Sequence, residues 1–405
     1  MITVCGAGAS GVTTAIVLAR RGFKVRLIEK STQIARKIRA SGNGRCNIAN
    51  RNPKPQRFFS QRPDILEEIL KGGNIDKVLE FLCSLGVAVV EKDEGKIFPM
   101  SFSGACVIDL LEFELKRLGV EIVLGVEITS IKKDRKSFIL NSKEGTFFAK
   151  SLILAMGSPA MPKLGGSDIG LNIAQDFGHE ILEPDPALVQ LNSPLKWLKY
   201  VAGVKREVNI KLMADYGELI TSKRGDVLFT KYGLSGLAIL DISREAVLAL
   251  KSYKKVEVVI DLLPDLSKWE FLNHLRRRLD EGRGLPTELW LEGLLEKKLA
   301  KMIMREFKFI QNEERIDRVD YGYIFKILKK DLRIPIESSR GFEYAEVASG
   351  GVDLSDINPK TLESKKVKNL YILGEMLDVV GDRGGFNLYF AWLTGLIAGE
   401  AINGR

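Results

Sequence analysis

The stretch that most restricts how this chain folds lies at its start. Ile2 to Cys5 is a short apolar run, Gly6-Ala7-Gly8-Ala9-Ser10-Gly11 follows without a break, and Val12 to Arg20 has helical spacing. A strand that enters a helix through G-x-G-x-x-G has few alternatives, because each glycine has a steric task. Gly6 makes the tight turn, Gly8 lets the backbone approach a pyrophosphate, and Gly11 lets helix and strand pack closely. The helix N-terminus adds free N–H groups and a partial positive charge. Gly22-Phe23 then turns the chain into a second apolar run, Lys24 to Ile28, which ends at Glu29 with Lys30 beside it. A carboxylate at that strand end can accept the hydroxyls of a ribose. The order strand, glycine loop, helix, strand, acid predicts a dinucleotide-binding unit, with Gly6, Gly8, Ala9, Ser10, Gly11, Glu29 and Lys30 as candidate contacts.

A comparable signal closes the chain. Leu370 to Leu373 is apolar, Gly374-Glu375 follows, a loop ends at Gly384-Gly385, and an apolar helical pattern begins at Phe386 and Asn387. If Leu370 to Leu373 is the last strand of the first sheet, Gly384-Gly385 lies at a helix N-terminus, where N–H groups can hold negative charge. A nicotinamide enzyme needs one pyrophosphate fingerprint and no partner loop at the far end. FAD lies extended and its ring needs a seat of its own, so the two loops together point to a flavin dinucleotide.

Between them, Ser31 to Asn50 is too polar for a core element. Arg36, Lys37 and Arg39 can neutralise phosphate, while Ser41, Gly42, Asn43, Gly44, Arg45 and Asn47 offer donors and close backbone approach. Cys46 is either a ring contact or an inert buried thiol. Ser151 to Gly157 reads as a buried strand that brings Ala155 and Gly157 against the cofactor. Val120–Gly125, Val126–Ile131, Ser137–Ser142 and Thr146–Ala149 read as a small meander. Glu183-Pro184-Asp185-Pro186 is the best domain boundary. Beyond it, Ala187 to Leu263 is β-like, Trp269–Leu279, Thr287–Phe309 and Tyr323–Leu328 are helical, and Leu332–Ile336 and Tyr344–Val347 are β again. The expected arrangement is α/β. A discontinuous cofactor domain, 1–186 and 350–405, is interrupted by an insert over 187–349, with a β part at about 187–265 and 332–349 and a helical part at about 266–331.

The 405 residues suggest two or three domains, and 45% hydrophobic with 28% charged content argues against disorder. No apolar run reaches membrane-spanning length and no basic-then-apolar leader opens the sequence, so a cytoplasmic protein is expected. The four cysteines, Cys5, Cys46, Cys83 and Cys106, form no CxxC pair, which speaks against a disulfide framework, a metal site and dithiol chemistry. With only His179 and His274, a histidine base has few candidates; His179 reads as a helix cap. The net charge of +9 invites an RNA-binding or RNA-modifying reading that uses the basic insert, with clusters at Arg276-Arg277-Arg278 and Lys326 to Arg333; a solvated helix face is the plainer account.

ARKIRASGNGRCNIAN, KIFPMS, PDPALV, LFTKYGLSG, GGV, TLESK and LYILGEMLDVVG…GGFN occur in order along nearly the whole chain. The sequence thereby resembles the BaiN/RdsA-like family of NAD(P)/FAD-dependent oxidoreductases, also known as aminoacetone-oxidase-family flavoproteins. The resemblance implies a glutathione-reductase-like FAD-binding Rossmann domain interrupted by a β-barrel plus helical insert, and non-covalent FAD. It implies flavin-side contacts at Ser41, Gly42, Gly44, Arg45, Cys46, Asn47, Gly384, Gly385 and Asn387, and a backbone contact to adenine near Ile128; Phe386, between Gly385 and Asn387, is a further candidate cofactor contact. The chain departs from the pattern at Val380, Gln190, Ala348 and Arg383.

The resulting expectation is an FAD-dependent oxidoreductase moving a hydride between flavin and a small amine or an unsaturated or keto compound. NAD(P)H is a candidate electron donor. Arg45, Asn47, Asn387 and Arg383 are the candidate polar groups at the reacting end, and no general base stands out.

Overall fold

The computed structural model describes residues 1–280, 289–307 and 321–403. The chain divides into two compact units, Met1–Asp185 with Glu346–Arg405, and Pro186–Ala345.

The first unit is built on β1 (Ile2–Cys5), α1 (Ala9–Arg20) and β2 (Val25–Glu29). All four residues of β1 are buried, as a strand covered on both faces requires. β1 is central in a five-stranded parallel sheet whose order is Leu370–Ile372, Ser151–Leu154, β1, β2, Glu121–Leu124. The C-terminal strand is therefore two places from the N-terminal one. The expected four-segment meander is corrected here, because Glu121–Leu124 leaves it and becomes the edge of the parallel sheet. It follows the helix Gly104–Arg117, and a strand arriving from a helical crossover pairs in parallel. The other three segments form an antiparallel sheet, Ile128–Asp134, Ser137–Ser142 and Thr146–Ala149.

The apolar C-terminal helix, Phe386–Ala401, packs along α1. Two small residues one turn apart set the spacing: a Cβ on Gly395 would come within 2.7 Å of Ser10 O and Thr13 Cβ, and one on Gly399 within 2.7 Å of Val17 Cβ. The Thr14 hydroxyl donates to Gly395 O across this interface at 3.1 Å.

The second unit holds a seven-stranded antiparallel sheet, in the order 332–336, 256–261, 205–213, 219–229, 233–235, 191–192, 338–339. The resemblance implied a barrel; among the described residues no pairing joins the two end strands. Helices Leu237–Ser252, Lys268–Asp280, Lys297–Glu306 and Tyr321–Lys326 accompany the sheet. Leu237–Ser252 corrects the β-like reading of 187–263. Its aliphatic content suits a buried strand as well as a buried helix, and length decides between them. The expected helix Thr287–Phe309 is shorter, at Lys297–Glu306, since Gly293 has a φ of +99° and the chain turns before it. Thr287, Glu288, Lys308 and Phe309 lie outside the described residues. No helix among the described residues is long and apolar enough to cross a membrane.

Candidate functional site

The three glycines of the N-terminal loop are required for different reasons. A Cβ on Gly6, whose φ is +98°, would lie 2.2 Å from Ala155 O, and one on Gly11 would lie 2.0 Å from Gly6 O. Both are therefore demanded by the chain's own packing. Gly8 has an ordinary φ of −74°, and a Cβ there would meet nothing within 4 Å. Neither conformation nor packing calls for glycine at this position, which leaves an open cradle above the N-terminus of α1. The first turn of α1 holds no acidic residue to neutralise its positive end.

Glu29 is fixed beside this cradle, with Oε2 accepting from Ala7 N–H at 2.8 Å and Oε1 from Ser31 N–H at 2.8 Å. Lys30 is 3.8 Å from Glu127, and Arg36 donates to Lys163 O at 2.8 Å. Val126 N–H bonds Glu29 O at 3.1 Å, which ties the chain leading to the buried Ile128 to the end of β2. Ala155 N–H bonds Cys5 O at 2.8 Å and so lies against the loop.

Glu375 joins three segments. Its Oε2 pairs with Lys37 Nζ at 2.9 Å, and its Oε1 accepts from Ser158 Oγ–H at 2.8 Å and Ala348 N–H at 3.3 Å. The Cβ position of Gly157 is 4.0 Å from Glu375 Oε2. Gly374 lies against the first loop, its Cβ position 2.6 Å from Ser10 Oγ. Ser158 was not singled out on sequence, and Ala348 was only as a departure from the family pattern; 217 and 27 positions separate them from Glu375, and no motif spans those distances.

The loop 41–47 winds through left-handed conformations at Gly42, Asn43, Gly44 and Cys46. Ser41 O accepts from Cys46 N–H at 3.0 Å and closes the winding. Burial pushes the Cys46 thiol up to about 11, so it stays protonated near neutrality, as an inert thiol would. Arg45 is exposed and its guanidinium has no partner among the described residues. Asn47 Oδ1 is buried and has no hydrogen-bond partner among the described residues. The C-terminal loop packs directly on this segment, for a Cβ on Gly385 would lie 2.3 Å from Ala49 O and 2.8 Å from Asn47 Oδ1. Trp392 Nε1–H donates to Ile48 O at 3.1 Å from the same helix.

Asn387 is occupied within its own loop. Its Oδ1 accepts from Gly381 N–H at 2.7 Å and its Nδ2 donates to Gly381 O at 2.8 Å. Phe386 is buried beneath the Arg57 guanidinium, which lies 4.6 Å from its ring centroid and pairs with Asp382 at 3.0 Å. Asn50 Nδ2 donates to Gly384 O at 3.0 Å, and Lys96 Cε is 3.8 Å from the Gly384 Cβ position. Asn50, Arg57 and Lys96 are thus neighbours of the C-terminal loop that sequence reasoning missed, although Lys96 opens the KIFPMS stretch. Half-buried Arg383 adds its charge there. Glu94 is held below its usual range first by the hydrogen bond from Lys96, and also by the charges of Arg383 and Arg57. Val380 is buried in a pairing with Phe59, and Gln190 belongs to the second unit.

His179 is excluded from this cluster. It is buried with Nδ1 2.8 Å from Ala174 O and Nε2 2.7 Å from Ser364 Oγ.

A parallel βαβ unit with an open glycine cradle, a fixed acid at the second strand end and a second loop from the far end of the chain define an FAD-type Rossmann oxidoreductase. The chain belongs to the family described as "HI0933-like protein Rossmann domain", whose model matches residues 1–401. It is 33% identical over 408 aligned residues to the 3-dehydro-bile acid delta(4,6)-reductase of Clostridium scindens, covering 100% of this chain and 99% of that protein. It is 32% identical to the ribosomal RNA dihydrouridine synthase of Escherichia coli, covering 96% of this chain and 94% of that one. Among solved structures, the 3-ketosteroid-delta4-(5alpha)-dehydrogenase of Rhodococcus jostii shares the fold, with a TM-score of 0.50, 12% identity and coverage of 99% and 96%. The protein is an FAD-dependent oxidoreductase. The residues present fit that cofactor: the cradle at Gly8 is one a Cβ would fill, and the buried Asn47 Oδ1 lacks a donor that a bound group can supply.

Proposed function

We propose that the enzyme reduces a carbon–carbon double bond conjugated to a carbonyl, with NAD(P)H as the electron source. Support comes from one chemical observation. The two relatives of 33% and 32% identity carry names for reductions of different molecules, a bile acid and an RNA base, that share a C=C–C=O unit. The overall change is addition of a hydride equivalent to the β-carbon and a proton to the α-carbon, while NAD(P)H is oxidised to NAD(P)⁺. Bound FAD supplies the two-electron transfer between the two partners.

The chain's own residues divide the remaining work. Gly6, Gly8 and Gly11 with the N-terminus of α1 hold the pyrophosphate, Glu29 the ribose hydroxyls, and the backbone near Ile128 the adenine. Lys37 and Arg36 offset phosphate charge. The 41–47 loop and Gly384 to Asn387 seat the ring, with Asn47 Oδ1 accepting a hydrogen bond from it. Arg45, exposed and unpaired, is placed to hold the substrate carbonyl through its fork of donors. Cys46, kept as a buried thiol, packs and takes no part as a nucleophile. Asn387 holds the Gly381–Asp382 turn in shape, so its effect on reaction passes through the loop.

The test is anaerobic. The protein is bleached with NADPH and mixed in turn with cyclohexenone, a 4-en-3-one steroid, uridine, an isolated alkene and a primary amine. Reoxidation by the conjugated alkenes and not by the isolated one is expected. Bleaching of the oxidised protein by amines without nicotinamide, together with no reoxidation by any conjugated alkene, would sink this reading in favour of amine oxidation.

A further inference from the structure

The second unit carries a face on which positive charge is concentrated and, among the described residues, unanswered by carboxylates. The helix Lys297–Glu306 buries Leu299, Ala300, Met302, Ile303 and Met304 in the unit's core. That leaves Lys297, Lys298, Lys301 and Arg305 exposed at successive turns, with Glu306 the helix's single carboxylate. The short helix Leu198–Val201 packs beside it and adds Lys199 and Tyr200, the latter 52% exposed. The Arg305 guanidinium lies 5.6 Å from the Tyr200 ring centroid and Lys199 Nζ lies 5.0 Å from it. Lys298 Nζ donates to Ala202 O at 3.3 Å, which joins the two helices into one face.

None of these five cations has a carboxylate partner among the described residues. Their basic neighbours do: Arg206 holds Glu296 at 3.0 Å and Lys205 holds Asp226 at 2.7 Å. The acid nearest the start of the helix is thereby already engaged. Four like charges on a helix about 15 Å long, with Lys199 on its neighbour, repel one another, and an extended polyanion relieves that repulsion while releasing its own counterions. An exposed aromatic ring among the cations is what an unpaired base stacks on. A lipid surface fits less well, because the helix has its apolar side committed to the core and none left to insert.

We propose that this face binds the sugar-phosphate backbone of RNA, with Tyr200 stacking on an unpaired base. The surface is independent of the reaction proposed above, since binding is read without turnover.

The test uses the full-length, FAD-loaded protein and a fluorescent oligouridylate in a salt titration. Lys298→Gln with Lys301→Gln is expected to weaken binding about tenfold and to make the slope of log K against log salt shallower by about 1.4, roughly 0.7 for each phosphate of a single strand that is no longer neutralised. Tyr200→Ala is expected to weaken it about tenfold with the slope kept. Lys211→Gln with Lys223→Gln removes the same charge from exposed positions on strands 205–213 and 219–229 and is expected to leave the slope unchanged. Flavin absorbance and melting temperature report that each variant is folded. No binding by the parent protein, equal weakening by the two double variants, or a double variant at Lys298 and Lys301 that loses phosphatidylglycerol vesicles but keeps oligouridylate would each overturn the proposal.

Discussion

The two glycine loops of the first unit look alike as text and differ as objects. In the N-terminal loop the central glycine, Gly8, has empty space where a side chain would be; in the C-terminal loop the corresponding space at Gly385 is filled by Ala49 O and Asn47 Oδ1. One loop is open toward something outside the chain, and the other is braced from within. A phosphate needs access to backbone N–H groups, whereas a ring whose electronics must be controlled needs a seat that does not move. Glycine serves the first by absence and the second by allowing a close fit with its neighbours.

This contrast can be broken by mutation. The largest effect is expected at Gly385→Ala, which combines a φ of +100° with a Cβ 2.3 Å from Ala49 O. Strain and overpacking together should cost about 3 kcal/mol or more, read as a fall in melting temperature of the flavin-free protein. Gly8→Ala should leave the melting temperature of flavin-free protein within about 0.5 kcal/mol of the parent, yet weaken flavin binding roughly tenfold, about 1.4 kcal/mol. If both variants lose stability equally, the distinction between open and braced loops is wrong. Lys37→Met tests the tie between the segments, since its partner Glu375 also bonds Ser158. Both side chains are partly solvated, so about 1 kcal/mol or less is expected. The smallest effect is a pH slope remote from both loops. Burial holds the His179 pKa below its ordinary 6.5. Between that lowered value and 6.5 the unfolded chain binds more protons, so stability falls as pH drops through this window. Chemical denaturation of His179→Gln across the same range should show a flatter dependence, whatever its absolute stability.

Much of the scaffold could be read from residue order, because local sterics dictate it. Gly6 to Glu29 has one economical fold, and the final strand and helix follow from apolar runs separated by glycine. What escaped was decided by distant partners. Glu121–Leu124 has the same composition as the strands after it, and its place at the sheet edge comes from the helix that precedes it. Leu237–Ser252 hid among strands because its aliphatic residues satisfy both periods. At the site, the residues flanking Gly384 lie at Asn50, Arg57 and Lys96, hundreds of positions earlier in the chain. Asn387 looked available from its type and place, but the direction of an amide depends on the path of the turn it closes. Gly8 could be assigned its task from the motif, yet only the empty volume beside it separates that task from those of Gly6 and Gly11.

The packing of Gly395 and Gly399 against α1 also sets a schedule. The Thr14 hydroxyl bonds a carbonyl 381 positions later, so the face of α1 that meets the C-terminal helix stays uncovered until the second unit has been synthesised. At about 5–20 residues per second that is a wait of roughly 20–75 s. During that wait the pyrophosphate loop already exists and its flavin-ring counterpart does not. A newborn chain must therefore keep an apolar helix face from sticking to other chains long before it can close around a cofactor.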